Sequence, residues 1–303
     1  MRIAVIDTGS YSVRLTVAEV KDSRLNILLE KGYITSLGSG VKKEGKLRSD
    51  RIEETLRVLE DYRREIDKLG VDRVVVVATE ALRRARNAEE FIELVRKRTG
   101  FEVRILSPEE EGRLAFLATA YSLRPEGYFV VVDQGGGSTE FAFGRDLKPQ
   151  EVISLPFGIV DLTERFLRHD PPLEEELLSL RAFVRDRVLE LKRNVDDMIG
   201  LGGTITTVAA LEYGVYPYDP LKIHGREISL SALKRWLGEL VRLTLAERSR
   251  KFRQIEDRRA EVIPAGVAMF VEIMEVFERE RIKVGDWGVK HGLIVSCALG
   301  ASV

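Results

Sequence analysis

With 303 residues, 44% of them apolar, the chain is long enough for two domains with full hydrophobic cores and too apolar to be disordered. Its 48 Lys and Arg almost cancel its 49 Asp and Glu, so net charge does not advertise nucleic acid or another polyanion, and an anionic substrate has to be held by local clusters. The one cysteine, Cys297, excludes an internal disulfide and reads as a buried apolar residue; no apolar run reaches membrane-spanning length, and the N-terminus reads as a strand with no signal-peptide pattern. A cytoplasmic protein without nucleic-acid or membrane partners is expected. The 32% of charged residues, beside only three asparagines and three glutamines, matches the ion-pair style of thermophilic proteins.

The chain opens with Ile3-Ala4-Val5-Ile6-Asp7-Thr8-Gly9-Ser10-Tyr11-Ser12, a β-branched run, an aspartate and a tip of glycine and hydroxyl residues, followed by a second strand through Leu15–Ala18. A third strand-like stretch precedes 50–69, where Ile52, Leu56, Leu59, Tyr62, Ile66 and Leu69 recur at helical spacing before Gly70. The Val-rich run 73–78 predicts a parallel strand, 87–99 a helix stopped by Gly100, 102–106 a strand and 108–122 a helix. Strand and helix alternation of this kind predicts a mixed sheet covered by helices.

About 126 positions after the first tip the pattern returns as Val130-Val131-Val132-Asp133-Gln134-Gly135-Gly136-Gly137-Ser138-Thr139, again with a strand behind it. This repeat predicts two similar α/β halves with a cleft between them, able to hold phosphate from two sides. Residues 154–158 read as a connector, 173–197 as one long charged helix, and Gly202-Gly203-Thr204 as the entry to an apolar helix 205–211. A turn-rich loop at 216–220, helices from about 231 to 280 and a final apolar helix 290–300 complete the chain.

A tip of this composition gathers backbone N–H groups, hydroxyls and one carboxylate in a small volume, which suits a phosphate and its divalent metal. Asp7 and Asp133 read as metal or water-shell ligands or as turn caps, and Gly135, Gly136 and Gly137 as a phosphate cradle or a permissive turn. Glu140 reads as a further metal ligand or an exposed strand residue. Gly202, Gly203 and Thr204 form a helix-entry anion site that is weak when taken alone. In Ser107-Pro108-Glu109-Glu110-Glu111, Ser107 and Glu110 form a capping box, whereas Glu111 shares a helical stripe with Leu114, Ala115, Ala118 and Tyr121. Glu111 is therefore either a partly desolvated general base or a third solvated first-turn glutamate. Arginines cluster at 83–86 and 248–259, mostly as surface charge, and the three histidines show no metal spacing.

Taken in order, these segments resemble the exopolyphosphatase and guanosine pentaphosphate phosphohydrolase family of the actin, sugar-kinase and heat-shock-chaperone superfamily. The matching residues are Asp7-Thr8-Gly9-Ser10 with Arg14, Ala78-Thr79-Glu80-Ala81-Leu82-Arg83, Glu110-Glu111-Gly112-Arg113, Asp133 to Glu140, Leu155-Pro156-Phe157-Gly158, Gly202-Gly203-Thr204, His224-Gly225 and Asp257-Arg258-Arg259-Ala260. The resemblance implies two ribonuclease-H-like domains, expected at 1–120, with 289–303 packing back on it, and at 121–288. It implies magnesium-dependent release of terminal phosphate from polyphosphate or from guanosine pentaphosphate, with Glu111 as catalytic base. Asp133 and Glu140 would be metal ligands. Asp7, Gly9, Ser10, Arg14, Arg83, Gly135, Gly136, Gly137, Ser138, Gly202, Gly203, Thr204 and Arg259 would bind phosphate or nucleotide.

Three departures stand out: Gly112 for alanine, Gln134 for isoleucine, and Gly288-Val289-Lys290-His291-Gly292 where Gly-Leu-Arg-Glu-Gly is expected. The chain resembles the short, two-domain members. Two other readings of the same residues are an ATP-dependent small-molecule kinase and a non-catalytic guanosine tetraphosphate sensor. A homodimer is compatible with the sequence, which identifies no interface for one.

Overall fold

The computed structural model describes residues 1–21 and 24–300, without the Arg24 side chain. The chain divides into two units, Met1–Tyr121 with Val289–Val303, and Ser122–Gly288.

In the first unit β1 (Arg2–Thr8), β2 (Ser12–Lys21) and β3 (Arg24–Ile34) form an antiparallel meander. Next come α1 (Val41–Glu44), α2 (Ser49–Leu69), β4 (Arg73–Ala78), α3 (Glu80–Arg84), α4 (Ala88–Thr99), β5 (Val103–Ile105) and α5 (Pro108–Leu123). The sheet runs β3-β2-β1-β4-β5, with β4 parallel to both β1 and β5. Alternation along β1 decides how it is covered. Ala4 and Ile6 join the core under α2 and α4, while Ile3 and Val5 face the opposite side with Val77 and Leu106. Both faces are thus buried, as expected of a sheet with parallel crossovers.

The second unit repeats the plan with β6 (Phe129–Gln134), β7 (Thr139–Arg145) and β8 (Lys148–Leu155), followed by α6 (Ile159–Phe166), α7 (Glu174–Leu189), β9 (Asp197–Leu201), α8 (Gly203–Glu212) and α9 (Pro220–Ile223). β10 (Glu227–Ser229), α10 (Leu230–Leu240), α11 (Leu245–Lys251), α12 (Arg259–Val276) and β11 (Arg281–Val284) complete it. Its strand order, β8-β7-β6-β9-β11-β10, matches that of the first sheet with one added edge strand. α12 is apolar on nearly every side and runs through the core, and a helix of that kind is stable only when buried all round. The last helix, α13 (Val289–Ala298), belongs to the first unit, where Val289, Leu293 and Ile294 pack on Ile3, Val5 and Val77. It crosses α5 so closely that a Cβ on Gly292 would lie 2.1 Å from the Leu114 carbonyl oxygen.

The mixed α/β class expected from the sequence is the one observed, and several boundaries move. The charged helix expected over 173–197 ends at Leu189, and Asp197 opens β9, because Met198, Ile199 and Leu201 are wanted in the core beside β6. Ser154 and Leu155 belong to β8 rather than to a connector. The helical stretch expected up to 280 stops at Val276, and β11 and β10 emerge as short strands with too few residues to show a period. Cys297 is half-buried at the edge of the α13 core. Arg248, expected at the surface, is buried and ties α11 to α12, its Nη2 donating to Asp170 Oδ1 at 2.7 Å and its Nη1 to the Ala260 carbonyl.

Candidate active site

In the first unit the row Thr8, Ala78 and Ile105 brings the ends of β1, β4 and β5 side by side. The first hairpin tip, the start of α3 and the approach to α5 therefore gather at one edge of the sheet, the carboxyl end of its parallel strands, where open α/β sheets place ligands. The Gly9 N–H closes the tip on the Ser12 carbonyl at 3.0 Å, and Gly38 N–H donates to the Ser10 carbonyl at 2.7 Å. Because the peptide is planar and trans, this second bond turns the Tyr11 N–H away from Gly38. Asp7 stands directly across the ladder from Arg14, so the two side chains share a face. Asp7 Oδ1, Thr8 Oγ1 and Ser10 Oγ are buried without a hydrogen-bond partner. Native proteins rarely leave such atoms unpaired, and three within four residues single out this tip as a ligand position. Burial pushes the Asp7 carboxyl up to about 6, against the pull of Arg14 and Lys290.

Glu111 lies in the first turn of α5. The Ser107–Glu110 capping box forms as expected, with Ser107 N–H to Glu110 Oε2 at 2.8 Å and Glu110 N–H to Ser107 Oγ at 3.1 Å. Glu111 is buried, 7% exposed, which removes the reading as a solvated first-turn charge. Its Oε1 accepts from Arg83 Nη1, and the same nitrogen donates to the Leu106 carbonyl at 2.6 Å. Arg83 Nη2 reaches Glu80 Oε2 at 3.2 Å, and Arg84 Nε bonds the other Glu80 oxygen. Arg83, expected to bind phosphate, is thus engaged by three protein acceptors.

In the second unit the Gly135 N–H donates to the Ser138 carbonyl at 3.0 Å, the same closure as in the first. The Gly135 and Gly136 carbonyls accept from the Ile159 and Val160 N–H groups, at 3.0 and 2.9 Å, where α6 begins. Peptide planarity then points the Gly136 and Gly137 N–H groups away from α6, the orientation an anion cradle needs. Gly158 permits this approach, since a Cβ there would sit 2.3 Å from the Gly135 oxygen and 2.5 Å from the Gly136 carbon.

Beside the tip, Gly202 adopts φ 99° against the Gln134 carbonyl, which a Cβ at Gly202 would meet at 2.4 Å, and α8 starts there. The buried Arg259 guanidinium lies over Gly203, its Nη1 only 1.7 Å from where a Cβ would stand. Its Nη2 pairs with Glu256 Oε2 at 3.3 Å, which offsets part of the repulsion between a guanidinium and the positive end of a helix. Thr204 is buried against Gly266, whose carbonyl accepts from Gln134 Nε2 at 2.9 Å, so the amide that replaces the expected isoleucine braces β6 against α12.

Asp133 pairs across the ladder with Glu140, which places two carboxylates on one face of the sheet. Glu140 is buried and accepts from Ser154 Oγ at 2.8 Å, which removes its reading as an exposed strand residue. Like charges directly opposite one another favour a cation between or above them. Among the described residues no three His, Cys, Asp or Glu groups gather into a metal-holding cluster. Two carboxylates on one face are oxygen donors of the hard kind that magnesium takes, beside the water and phosphate that commonly fill most of its shell.

The departure at 290–291 has a local explanation. Lys290 Nζ pairs with Glu30 Oε1 and donates to Thr16 Oγ1 at 2.8 Å, while His291 Nε2 lies 2.9 Å from the same Glu30 oxygen. Burial alone works upward on Glu30, but the His291 hydrogen bond and the Lys290 and His291 charges hold it well below the usual carboxylate range. The pair docks α13 on β2 and β3.

Sequence reasoning missed Glu80, Gly38 and the Lys290–Glu30 pair. A signal existed for the glycine, because in each unit a glycine follows the third strand and presses on the tip.

Compared with known proteins, residues 16–301 match the model of the Ppx/GppA phosphatase family. The chain is 31% identical to exopolyphosphatase 2 of Mycobacterium tuberculosis, over 98% of each chain. It is 54% identical to the crystal structure of the Aquifex aeolicus Ppx/GppA family member, with a TM-score of 0.87 over 99% of this chain and 98% of that one. An exopolyphosphatase structure from Cytophaga hutchinsonii shares the fold at a TM-score of 0.93 and 22% identity, over 100% of this chain and 99% of that one.

Proposed function

For this chain, which belongs to the Ppx/GppA phosphatase family, we propose hydrolytic release of terminal orthophosphate from inorganic polyphosphate, with the 5′ phosphate of guanosine pentaphosphate open to the same chemistry. The observation that carries this reading is that one phosphate-suited tip occurs twice, closed by the same Gly-to-Ser hydrogen bond, in a chain that also holds a buried glutamate at the sheet edge of its first unit.

Glu111 accepts a proton from water, and the hydroxide so formed attacks the terminal phosphorus in line with the bridging oxygen. The P–O bond to that oxygen breaks, and the shortened chain leaves with the electron pair. The first unit contributes Asp7, Gly9, Ser10 and Arg14, whose N–H groups, hydroxyl and guanidinium bind phosphate oxygens. The second unit holds its own phosphate-binding groups: the amides of Gly135, Gly136 and Gly137 with Ser138, the α8 entry at Gly202, Gly203 and Thr204, and Arg259, of the kind that stabilise charge on phosphoryl oxygens. Asp133 and Glu140 would hold magnesium, which supplies neutralisation of phosphate charge when bound. The acid pair, the unpaired hydroxyls and the glycine amides support this division of labour.

The experiment is orthophosphate release from long-chain polyphosphate and from guanosine pentaphosphate, with magnesium, by wild type and Glu111→Gln. Wild-type release that drops about 100-fold or more in the variant is expected. Equal rates would remove Glu111 as the base, and no release from either substrate by folded wild type would end the hydrolase reading.

A further inference from the structure

In the first unit Glu80 and Arg83, which the hydrolase reading does not use, form one chain with Glu111. Glu80 is the first residue of α3 and Glu111 lies in the first turn of α5. Arg83 joins them through Nη2 to Glu80 Oε2 and Nη1 to Glu111 Oε1, and fixes itself on the β5–α5 junction through the Leu106 carbonyl. Both carboxylates and the guanidinium are largely buried, with side-chain exposures of 11%, 9% and 18%. With Arg84 on the second Glu80 oxygen, two acids and two bases make a charge-balanced quartet.

An arginine that binds substrate phosphate keeps its fork directed at the ligand. Here the fork is spent on protein acceptors, and pulling it toward a phosphate would take the Arg83 charge from the buried Glu111 and leave Glu80 with Arg84 in its place. Holding Oε1 of Glu111 with a fixed donor limits rotation of the group. A general base needs orientation of this kind, since small misplacements of a reacting group cost large factors in rate.

We propose that Arg83 is a positioning residue for Glu111, itself braced by Glu80 and the Leu106 carbonyl, and not a ligand of substrate phosphate. This rests on the reading of Glu111 as general base.

The test is steady-state polyphosphate hydrolysis by Arg83→Met, Arg83→Lys, Glu80→Gln, Glu111→Gln and the double variant Arg83→Met/Glu111→Gln, with circular dichroism to confirm folding. Arg83→Met is expected to lower kcat by about 100-fold with KM within about twofold of wild type. Arg83→Lys, a single donor without the fork, restores part of the rate, and Glu80→Gln lowers kcat by about tenfold. In the double variant the loss equals that of Glu111→Gln alone, because Arg83 acts through Glu111. A KM increase of tenfold or more with kcat retained, or losses that multiply in the double variant, would overturn the proposal and make Arg83 a phosphate ligand. If Arg83→Met does not fold, the kcat and KM of Glu80→Gln decide by the same criterion. Full activity in Glu111→Gln is a separate result, which removes the base itself.

Discussion

Shifted by 126 positions, Asp7, Gly9, Ser12 and Arg14 of the first hairpin fall on Asp133, Gly135, Ser138 and Glu140 of the second. The backbone closure is the same at both tips, 3.0 Å from glycine N–H to serine carbonyl, and each tip is pressed by a glycine that follows the third strand. The chemistry at the tips differs. Thr8, Ser10 and Tyr11 supply side-chain polar groups in the first, where the second has Gln134, Gly136 and Gly137 and offers backbone amides. Across the ladder an aspartate faces an arginine in one and a glutamate in the other. A single backbone frame thus carries an Asp–Arg pair at one tip and an Asp–Glu pair at the other.

The comparison breaks most sharply at the supporting glycines. Gly158→Ala drives a Cβ into the backbone of Gly135 and Gly136, and polyphosphate hydrolysis is expected to fall by about 100-fold. Gly38→Ala meets Ser10 Cβ at 2.7 Å and its carbonyl oxygen at 3.1 Å and should cost less, about tenfold. Initial rates of the two variants, with melting curves alongside, check the order; equal rates would mean that these contacts do not shape the tips.

Next in size is the cost of the buried Asp7 carboxylate. Its value is raised to about 6 from 3.8, so between these pH values the folded state holds a proton that the unfolded state has lost. Wild-type stability therefore rises as pH falls through 6 toward 3.8, and the penalty is fully present above 6. Asp7→Asn is expected to be more stable than wild type by on the order of 2 kcal/mol at pH 8, a gain that disappears near pH 4. Urea unfolding across that range in the presence of chelator measures it, and a pH-independent difference would contradict the burial argument.

The smallest effect separates the cross-strand partners. Glu140→Gln should raise the magnesium concentration for half-maximal rate about tenfold at unchanged saturating KM for polyphosphate. Arg14→Gln should raise that KM about tenfold and leave the magnesium requirement alone. Titrations of metal and substrate on both variants decide whether the two tips divide their work by charge.

Much of this plan was legible in the sequence, and the misses share a cause. Continuous apolar, β-branched-rich runs such as Ile3–Ile6 and Val130–Val132, and the helical spacing from Ile52 to Leu69, are local signals that the fold keeps unchanged. β11 was not legible, since four residues hold too few periods, and what makes it a strand is pairing with β9 and β10. At the site, the glycines and Asp133 announced themselves by composition. The burial of Glu111 and Glu140, and the engagement of Arg83 with Glu80 and Glu111, depend on partners far along the chain, Ser154 for Glu140 and Arg83 for Glu111. The Lys290-His291 departure became intelligible only with Glu30, 260 residues away, beside it.

The placement of α13 also bears on how this protein is made. Ile3, Val5, Val77 and Leu106 leave the ribosome before the second unit, yet the face they form is closed by Val289, Leu293 and Ile294, which are synthesised after it. The second unit is continuous, Ser122–Gly288, and has every strand of its sheet before α13 emerges. Domains generally complete themselves in the order of translation. Here that order is reversed: of the two units the one begun first is finished last, and an apolar sheet face waits through synthesis of the other for the helix that covers it.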